Sequence, residues 1–345
     1  MAHFGSDYLA GCHPAILEKL CETNLLQTNG YGQDPYCEAA REKIRKAVGS
    51  EQVDVHFLVG GTQTNATVIA AALRPYQGVI ASEWGHITTH ETGAIEAGGH
   101  KVLALPSADG KLSAEQVRAY FEREYQQSTV QEHIVQPSMV YLSQSTEFGT
   151  VYQKEELQAL SQICREYGLW LFVDGARLGY TLDASVSDVT LHDLATLCDV
   201  FYIGGTKCGA LFGEAVVIVN PALKPHFRAM MKQQGALLAK GRLLGVQFDV
   251  LFSDNLYARI CQQAVVFAQI IRQAFEEKGF AFYGQSTTNQ QFPIVNRAQA
   301  DLLMHDFGFA YWQAHGTQHV VRYCTSWATT QAEVDSLLQA IGNLS

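Results

Sequence analysis

Short apolar runs alternate with longer amphipathic segments up to about residue 220, and this alternation constrains the fold more than any other feature of the sequence. Such apolar runs predict buried strands, and the longer segments with a helical period predict the helices that connect them. Repetition of strand and helix favours a mostly parallel sheet with helices packed on its faces. The predicted strands are 55–59, 78–82, 101–105, 138–142, 169–173, 200–204 and 215–219.

Four predicted helices lie between these strands, at residues 62–73, 86–97, 113–127 and 154–167. Ser113 and Gln116 have the spacing of a capping box, which predicts that the third of these helices begins there. Beyond Pro221 the pattern changes to longer helices at 223–233, 242–252 and 256–278, followed by short mixed elements and a last helix at 331–341. The change predicts a large α/β domain over residues 1–245 and a smaller C-terminal α+β domain over residues 246–345.

The composition narrows the class of protein. Apolar residues make up 47% of the 345 residues, which is enough for an extensive core and argues against disorder. The net charge of −10 argues against nucleic acid or an anionic membrane as the main partner. The eight cysteines show no CxxC spacing, so reduced thiols in the cytoplasm are expected. The sequence contains neither a signal peptide nor an apolar run of about 18 residues, so no membrane span is expected.

Gly60-Gly61-Thr62 follows the first predicted strand and opens a helix. Backbone N–H groups at a helix N-terminus are unpaired and lie at the positive end of the helix dipole, and glycines allow a ligand to approach them closely. The layout favours phosphate binding by Gly61 and Thr62. It matches neither the P-loop nor the GxGxxG pattern, which argues against nucleotide binding. The alternative is an ordinary turn that is capped by a threonine.

Asp174 ends a strand whose other residues are apolar, and Gly175-Ala176-Arg177 follow it. Ligands of open α/β sheets bind beyond the carboxyl ends of the strands, where Asp174 is predicted to lie. A buried carboxylate requires a partner, and a protonated pyridine nitrogen is one candidate. A salt bridge to the nearby Arg177 is the alternative.

Lys207 follows the next apolar strand, in the segment Gly204-Gly205-Thr206-Lys207-Cys208-Gly209. An apolar setting favours the neutral amine of a lysine, which can then form an imine (Schiff base) with an aldehyde. The alternative is a lysine that caps the edge of the sheet or pairs with a phosphate.

His86 and His90 lie one helical turn apart, on the same face of a predicted helix. An imidazole at this place can stack on a heterocycle or act as a general acid or base. Two histidines at this spacing are also half of a metal site. The HExxH frame and companion cysteines are absent, so no metal is expected. Either histidine is alternatively a structural residue.

These features are stronger together than apart. A phosphate cradle, a ring that can stack, a carboxylate for a pyridine nitrogen and an amine for an aldehyde are the four contacts that pyridoxal 5′-phosphate (PLP) needs. All four follow predicted strands of one sheet, in chain order. The sequence therefore predicts an enzyme that binds PLP.

At this point the motifs resemble those of the low-specificity L-threonine aldolases and β-eliminating lyases, within the aspartate-aminotransferase (fold type I) superfamily. The resemblance covers nearly the whole chain, and the Asp-Gly-Ala-Arg and Tyr-Gly-x-Asp-Pro motifs are its most specific part. The segments that carry it are Phe4-Gly5-Ser6-Asp7, Tyr31-Gly32-Gln33-Asp34-Pro35, Gly60-Gly61-Thr62, Val173-Asp174-Gly175-Ala176-Arg177 and Gly204-Gly205-Thr206-Lys207.

The resemblance implies a fold with a large, mostly parallel sheet of about seven strands, a PLP cofactor on Lys207, and a role for each of several other residues. Asp174 would bind the pyridine nitrogen and His86 would stack over the ring. The residues implied in phosphate binding are Gly61, Thr62 and Thr206. The substrate carboxylate would be bound by Ser6, Arg177 and Arg322, and the residues implied near a site shared by subunits of a homodimer or homotetramer are Tyr31, Lys240 and Arg242.

The implied reaction is cleavage of the Cα–Cβ bond of a β-hydroxy-α-amino acid, with L-threonine or L-allo-threonine giving glycine and acetaldehyde. Relatives often carry a Glu-Asn-Thr-His segment, whereas Leu142-Ser143-Gln144-Ser145-Thr146-Glu147 stands here without a histidine. We therefore expect His86, His90 or a water molecule to deprotonate the substrate hydroxyl. The alternatives are β-elimination from an amino acid, amino-group transfer, and a phosphate-binding α/β protein that is not an enzyme.

Overall fold

The computed structural model describes residues 3–344, and a seven-stranded sheet forms its centre. The strand order is β1-β7-β6-β5-β4-β2-β3. Every neighbouring pair is parallel except the two pairs that contain β7, which returns directly after β6. The strands are β1 Asp54–Leu58, β2 Gln77–Ser82, β3 Lys101–Leu105, β4 Gln136–Ser143, β5 Trp170–Asp174, β6 Val200–Gly204 and β7 Glu214–Ile218.

Helices cover both faces of this sheet, as the alternating pattern predicts. Strand β5 shows why: Leu171 and Val173 pack into the core on one face, and Phe172 packs into the core on the other. The helices are α1 Pro14–Thr23, α2 Pro35–Val48, α3 Gly61–Ala72, α4 His86–Thr89, α5 Ala94–Ala97, α6 Ala114–Tyr120, α7 Lys154–Tyr167, α8 Leu191–Leu197, α9 Phe227–Gln233, α10 Arg242–Leu251, α11 Leu256–Glu277, α12 Arg297–Phe307 and α13 Gln331–Gly342.

The prediction of one helix over residues 86–97 is wrong. Two short helices, α4 and α5, occupy this stretch, and a left-handed turn separates them, with φ of 52° at Thr92 and 70° at Gly93. The break turns the side chain of Glu91 inward, where it meets His86 and Asn65. A single continuous helix would not place Glu91 there, because residues five apart lie on different faces of a helix.

Two other predicted helices differ in their bounds. The capping box of Ser113 and Gln116 is confirmed, but α6 ends at Tyr120 and the chain continues as a π-helix over Phe121–Gln126. The helix predicted over 223–233 begins only at Phe227, because His226 has a left-handed φ of 61°.

The Tyr-Gly-x-Asp-Pro motif starts helix α2. Asp34 is the N-cap and accepts a 2.9 Å hydrogen bond from the backbone N–H of Cys37, and Pro35 stands at the first helical position, where its missing N–H costs nothing. Helix α2 packs closely on α10, since a Cβ added to Gly245 would lie 2.5 Å from Sγ of Cys37.

The C-terminal part forms a second, smaller sheet around β11. Strand β11 pairs antiparallel with β8, β9 and β10, and α12 and α13 belong to the same region. The bounds of these strands are β8 Gln290–Gln291, β9 Ile294–Val295, β10 Ala310–His315 and β11 Gln318–Cys324. Helix α11 contacts both cores, with Ala264 in the core of the large sheet and Ile271 in that of the small one. The division after residue 245 stays a prediction.

Three further findings concern residues 3–344. All eight cysteines, which lie in this range, are free thiols. Each helix of this part is too short or too polar for a membrane span. Its His, Cys, Asp and Glu side chains form no group of three or more that could hold a metal ion.

Candidate active site

Asp174 and Lys207 lie at neighbouring strand ends of the large sheet, Asp174 as the last residue of β5 and Lys207 three residues after β6. Parallel pairing places Ser143, the last residue of β4, beside Asp174, the last residue of β5. The backbone N–H of Gly204 at the end of β6 donates a 2.9 Å hydrogen bond to the carbonyl of Gly175. The approach is possible only without a side chain, because a Cβ on Gly175 would lie 1.8 Å from the carbonyl oxygen of Tyr202. The sheet thus brings Asp174 and the segment before Lys207 together.

Asp174 is 4% exposed and accepts four hydrogen bonds. Tyr141 donates to Oδ2 at 2.5 Å and Asn65 donates to the same oxygen at 3.0 Å. Tyr202 donates to Oδ1 at 2.5 Å and the backbone N–H of Ala176 donates to it at 2.9 Å. A carboxylate has about four acceptor positions, so a further donor has to share an oxygen with one of these groups.

These donors keep Asp174 ionised. Burial by itself raises the pKa of the carboxyl, but the positive charge of His86 and the hydrogen bonds from Tyr141 and Tyr202 outweigh it, so the pKa is lowered. The alternative of a salt bridge between Asp174 and Arg177 is wrong, because Arg177 pairs with Asp7 instead.

The glycine turn lies next to this carboxylate. Gly60 is the N-cap of α3 and no side chain caps the helix, so the alternative of a threonine cap is also wrong. A Cβ on Gly61 would lie 3.2 Å from the hydroxyl of Tyr202, which itself binds Asp174. Thr62 is exposed in the first turn. The free N–H groups of α3 therefore lie close to Asp174.

Asn65 and Glu91 connect Asp174 to His86. The amide nitrogen of Asn65 donates both to Asp174 and, at 2.7 Å, to Oε1 of Glu91, and the same Oε1 lies 2.7 Å from Nδ1 of His86. Burial lowers the pKa of His86, but the hydrogen bond to Glu91 and the charge of Asp174 outweigh this effect, so its pKa is raised. His86 is therefore held as a hydrogen-bond donor toward Glu91.

His90 covers one face of the His86 ring. The two ring centroids are 5.5 Å apart and the planes are inclined by 15°. Burial and the positive charges of His86, Arg322 and Arg177 lower the pKa of His90. His90 is thus a neutral imidazole whose Nδ1 lies 2.5 Å from the hydroxyl of Thr89.

Lys207 is half-buried and its ammonium has no hydrogen-bond or ion-pair partner among residues 3–344. Its positive charge acts to lower the pKa of Asp7, His86 and Glu214, so these three groups lie near it. The backbone of the loop that carries Lys207 is fixed by a hydrogen bond, since the hydroxyl of Tyr180 donates to the carbonyl of Lys207 at 2.5 Å. An unpaired amine on a fixed loop is available for reaction.

Thr206 is engaged with Glu214. Its hydroxyl donates to Oε1 of Glu214 at 2.7 Å and accepts from the N–H of Gly213 at 3.0 Å. Burial raises the pKa of Glu214 to about 7, although this hydrogen bond and the charge of Lys207 oppose the shift. The predicted contact of Thr206 with a phosphate stays a prediction.

Arg177 and Asp7 form a buried bidentate pair. Nε of Arg177 lies 2.7 Å from one carboxylate oxygen and Nη2 lies 3.0 Å from the other. The amide of Asn289 donates a third hydrogen bond to Asp7 at 2.9 Å. Burial raises the pKa of Asp7, but the charges of Arg177 and Lys207 outweigh it and the pKa is lowered.

Unsatisfied polar atoms gather beside this pair. Oγ of Ser6 and Nε of Arg322 are buried and have no hydrogen-bond partner among residues 3–344. Arg322 also donates from Nη2 to the carbonyl of Gly5 at 3.0 Å, which ties β11 to the N-terminal segment. Buried polar atoms are normally paired, so these atoms indicate a place for a polar ligand.

Tyr31 lies apart from this group. Its backbone contacts Ala239 and Arg228, and Nζ of Lys232 lies 4.8 Å from its ring centroid. Lys240 and Arg242 line a separate cavity of about 540 Å³ near residues 20–30. The tertiary structure of one chain therefore does not bring these three predicted residues to Lys207.

Comparison with known proteins identifies the family. The sequence matches the family described as Beta-eliminating lyase over residues 3–300. This chain belongs to the beta-eliminating lyase family. The lyase is 44% identical to the threonine aldolase of Leishmania major, whose structure has a TM-score of 0.96 over 99% of both chains. It is 29% identical to the low specificity L-threonine aldolase of a Pseudomonas species, over 97% of this chain and 95% of the other.

The fold of the lyase is also that of a mutant aspartate aminotransferase from Thermus thermophilus. The two structures have a TM-score of 0.71 at 15% identity, over 98% of this chain and 94% of the other, a likeness that concerns the fold alone. The predicted aspartate-aminotransferase-like α/β fold, the predicted family and the prediction of a lyase are confirmed.

Family membership implies PLP as the cofactor, and the residues of the site fit it. The amine of Lys207 has no partner in the described part of the chain and can therefore react with an aldehyde. The low pKa of Asp174 suits a protonated pyridine nitrogen, since two opposite charges stabilise each other. The uncapped N-terminus of α3, which begins at Gly61, suits a phosphate.

Asp7, Asn65, Glu91, Tyr141 and Tyr202 belong to the site but are not among the site residues predicted from the sequence. Asn65 lies one turn after Gly61 and Asp7 directly follows Ser6, so proximity to known motifs was a usable signal. The inward position of Glu91 depends on the break between α4 and α5, which the sequence pattern did not predict. Tyr141 and Tyr202 lie inside apolar strands, where only the tertiary structure shows that their hydroxyls meet Asp174.

Proposed function

We propose that this lyase cleaves the Cα–Cβ bond of β-hydroxy-α-amino acids, with L-threonine or L-allo-threonine giving glycine and acetaldehyde. The observation that carries the proposal is the amine of Lys207, which has no partner among residues 3–344, on the strand end next to that of the ionised Asp174. The 44% identity to a threonine aldolase along 99% of both chains supports the reaction.

The proposed cofactor contacts are groups around Lys207. Lys207 would hold the aldehyde, Asp174 would face the pyridine nitrogen, and His86 would stack on the ring with the face that His90 leaves free. The phosphate would lie at the N-terminus of α3, with Gly61, Thr62 and Thr206 as its proposed contacts. Bound PLP accepts the electron density that is released at the substrate Cα.

The substrate carboxylate would bind between the N-terminal segment and β11. Its proposed partners are Oγ of Ser6, Nε of Arg322 and Arg177, whose Nη1 has no partner among the described residues. Asp7 fixes the plane of the Arg177 guanidinium, so that its remaining N–H groups point in one direction. Two arginines around a carboxylate supply the strong, charge-assisted hydrogen bonds that orient the Cα–Cβ bond.

We also propose that the lyase works as a homodimer or homotetramer. Leu25 is 90% exposed, and Tyr8, Leu9 and Leu26 are each more than half exposed. We propose that a neighbouring subunit covers these apolar side chains. Tyr31, Lys240 and Arg242 are proposed to reach the active site of a neighbouring subunit. Measurement of the molar mass in solution, together with the activity of a Tyr31→Ala variant, tests this assembly.

An aldehyde-release assay over a panel of β-hydroxy-α-amino acids tests the proposed reaction. We expect glycine and aldehyde in equal amounts from the wild-type protein, and loss of this activity in Lys207→Ala. Lys278→Ala, which removes an exposed lysine, is the matched control. A Lys207→Ala enzyme that turns over like the control refutes the proposal, as does a purified wild-type protein that stays colourless with added PLP.

β-Elimination is a second candidate, because the matching family is described by that reaction. Product analysis separates the candidates. Glycine with an aldehyde supports cleavage, pyruvate with ammonia supports elimination, and transfer of the amino group to an added 2-oxo acid supports an aminotransferase.

A further inference from the structure

Glu147 is a carboxylate at the edge of the same site, on the loop that follows β4. Oε1 accepts a 3.1 Å hydrogen bond from the hydroxyl of Ser143, the residue that pairs with Asp174 in the sheet. Oε2 is buried and has no hydrogen-bond partner among residues 3–344. An acceptor atom that is withdrawn from water and left unpaired requires a donor from a ligand.

The charged and titratable groups around Glu147 come from every element that packs against it. Burial and the charge of Asp174 raise the pKa of Glu147 to about 7, although a backbone N–H, the charge of His86 and the hydroxyl of Ser143 oppose the shift. The charge of Glu147 in turn contributes to raising the pKa of Arg177 and of two buried tyrosines. The titratable groups that interact with Glu147 therefore include Asp174, His86, Arg177, Tyr141 and Tyr152. Glu147 thus lies close enough to the proposed ring-stacking and carboxylate-binding residues to interact with both.

The loop that carries Glu147 is held firmly. The side-chain amide of Gln144 bonds the backbone N–H and carbonyl of Tyr152, at 2.9 and 3.1 Å. The hydroxyls of Thr146 and Thr150 lie 2.6 Å apart. Phe148 is 2% exposed and packs among aromatic rings. A group that exchanges a proton with a substrate has to be presented at a fixed position, and this loop meets that requirement.

The two histidines are less suited to remove a proton. Nδ1 of His86 is bonded to Glu91, and its raised pKa favours the imidazolium, which has no free lone pair. His90 is neutral, but it is exposed and its Nδ1 is bonded to Thr89. Glu147 combines a free acceptor atom with exclusion of water, which strengthens its interaction with a hydroxyl.

We propose that Oε2 of Glu147 takes the proton from the β-hydroxyl of the substrate; the inference rests on the proposed function. The O–H electron pair forms the second bond of the aldehyde C=O as the Cα–Cβ bond breaks. The pair from that bond stays with the glycine half, which later gains one proton at Cα. The carboxyl group of Glu147 returns its proton to solvent, so atoms and charges balance. Glu147 must therefore both hold and release a proton near neutral pH.

The test compares Glu147→Gln with Glu155→Gln, an exposed glutamate changed in the same way. Two reactions are measured on the PLP-loaded proteins: aldehyde release from threonine, and exchange of the glycine α-proton with deuterium, which needs no hydroxyl proton. We expect Glu147→Gln to lose aldehyde release about 10²- to 10⁴-fold and to retain the glycine exchange. Glu155→Gln should match the wild type in both reactions.

Two measurements do not depend on turnover by Glu147→Gln. Infrared titration of the cofactor-free proteins should show one more carboxyl group that loses its proton near neutral pH in the wild type than in Glu147→Gln, in which Glu214 still titrates there. Glu147→Ala should regain aldehyde release when formate is added, because formate replaces the missing carboxylate.

The outcomes are distinct. Wild-type protein that releases no aldehyde contradicts the proposed function itself. Active wild-type protein with an equally active Glu147→Gln overturns the inference about Glu147. An infrared titration that is identical in the wild type and in Glu147→Gln also overturns it. A His90→Gln variant that loses aldehyde release while Glu147→Gln keeps it does the same.

Discussion

Replacing Asp7 by asparagine removes one charge of a buried pair while keeping the shape of the side chain. The Asp7 side chain is fully buried, and that of Arg177 is only 12% exposed. Breaking such a pair costs about 3–5 kcal/mol, because the remaining charge has no partner. The amide also turns an N–H donor toward Arg177 or Asn289, both of which donate to Asp7. Because Arg177 keeps some contact with water, we expect the lower end, about 3 kcal/mol.

Chemical unfolding of the cofactor-free protein measures this loss, with wild type and variant at one protein concentration because assembly also affects apparent stability. Asp301→Asn is the control, since its pair with Arg297 is exposed on both sides and should contribute less than about 1 kcal/mol. Equal unfolding midpoints for Asp7→Asn and Asp301→Asn would show that the buried pair does not stabilise the fold as argued.

The pH dependence gives the same prediction a second check. The pKa of Asp7 is lowered from its ordinary value of 3.8, so the stability it contributes is complete above that pH and is lost as the pH falls through the folded-state value. The stability difference between wild type and Asp7→Asn should therefore shrink only in acid below about pH 4. A stability difference that shrinks toward alkaline pH contradicts a lowered pKa of Asp7.

Three further predictions concern the network around Asp174. Tyr202→Phe removes one hydrogen-bond donor of Asp174, so it should raise the pKa of Asp174 and lower the free energy of unfolding by about 1.5–3 kcal/mol. Chemical unfolding of the cofactor-free protein measures this loss, and an unchanged stability contradicts the prediction. Glu91→Gln should lower the pKa of His86, because the hydrogen bond and charge that raise it are weakened, and titration of the imidazole signals by NMR measures this. Gly175→Ala should cost at least about 1–3 kcal/mol or prevent folding, because its Cβ would lie 1.8 Å from a backbone oxygen, and soluble yield with thermal unfolding measures the effect.

Periodicity along the chain was sufficient for the strands of the large sheet and for the fold class, but it missed helices α1, α2, α8 and α12. Each predicted strand of the large sheet appears within two residues of its predicted bounds, because a five-residue apolar run between turns depends on local sequence alone. The same pattern places Asp174 at the end of β5 and Lys207 just beyond β6, since the carboxyl ends of parallel strands share one edge of the sheet. The roles of these residues toward a cofactor stay predictions.

Only the tertiary structure decided which side chains are partners. Arg177 lies three residues from Asp174 but pairs with Asp7, which is 170 residues away, and Tyr202 reaches Asp174 from another strand. Position in the sequence carries no information about such contacts, because they depend on how whole strands and helices pack. Glu147 is the clearest case: the sequence shows an ordinary glutamate in a loop, and folding buries its carboxylate beside His86 and Asp174.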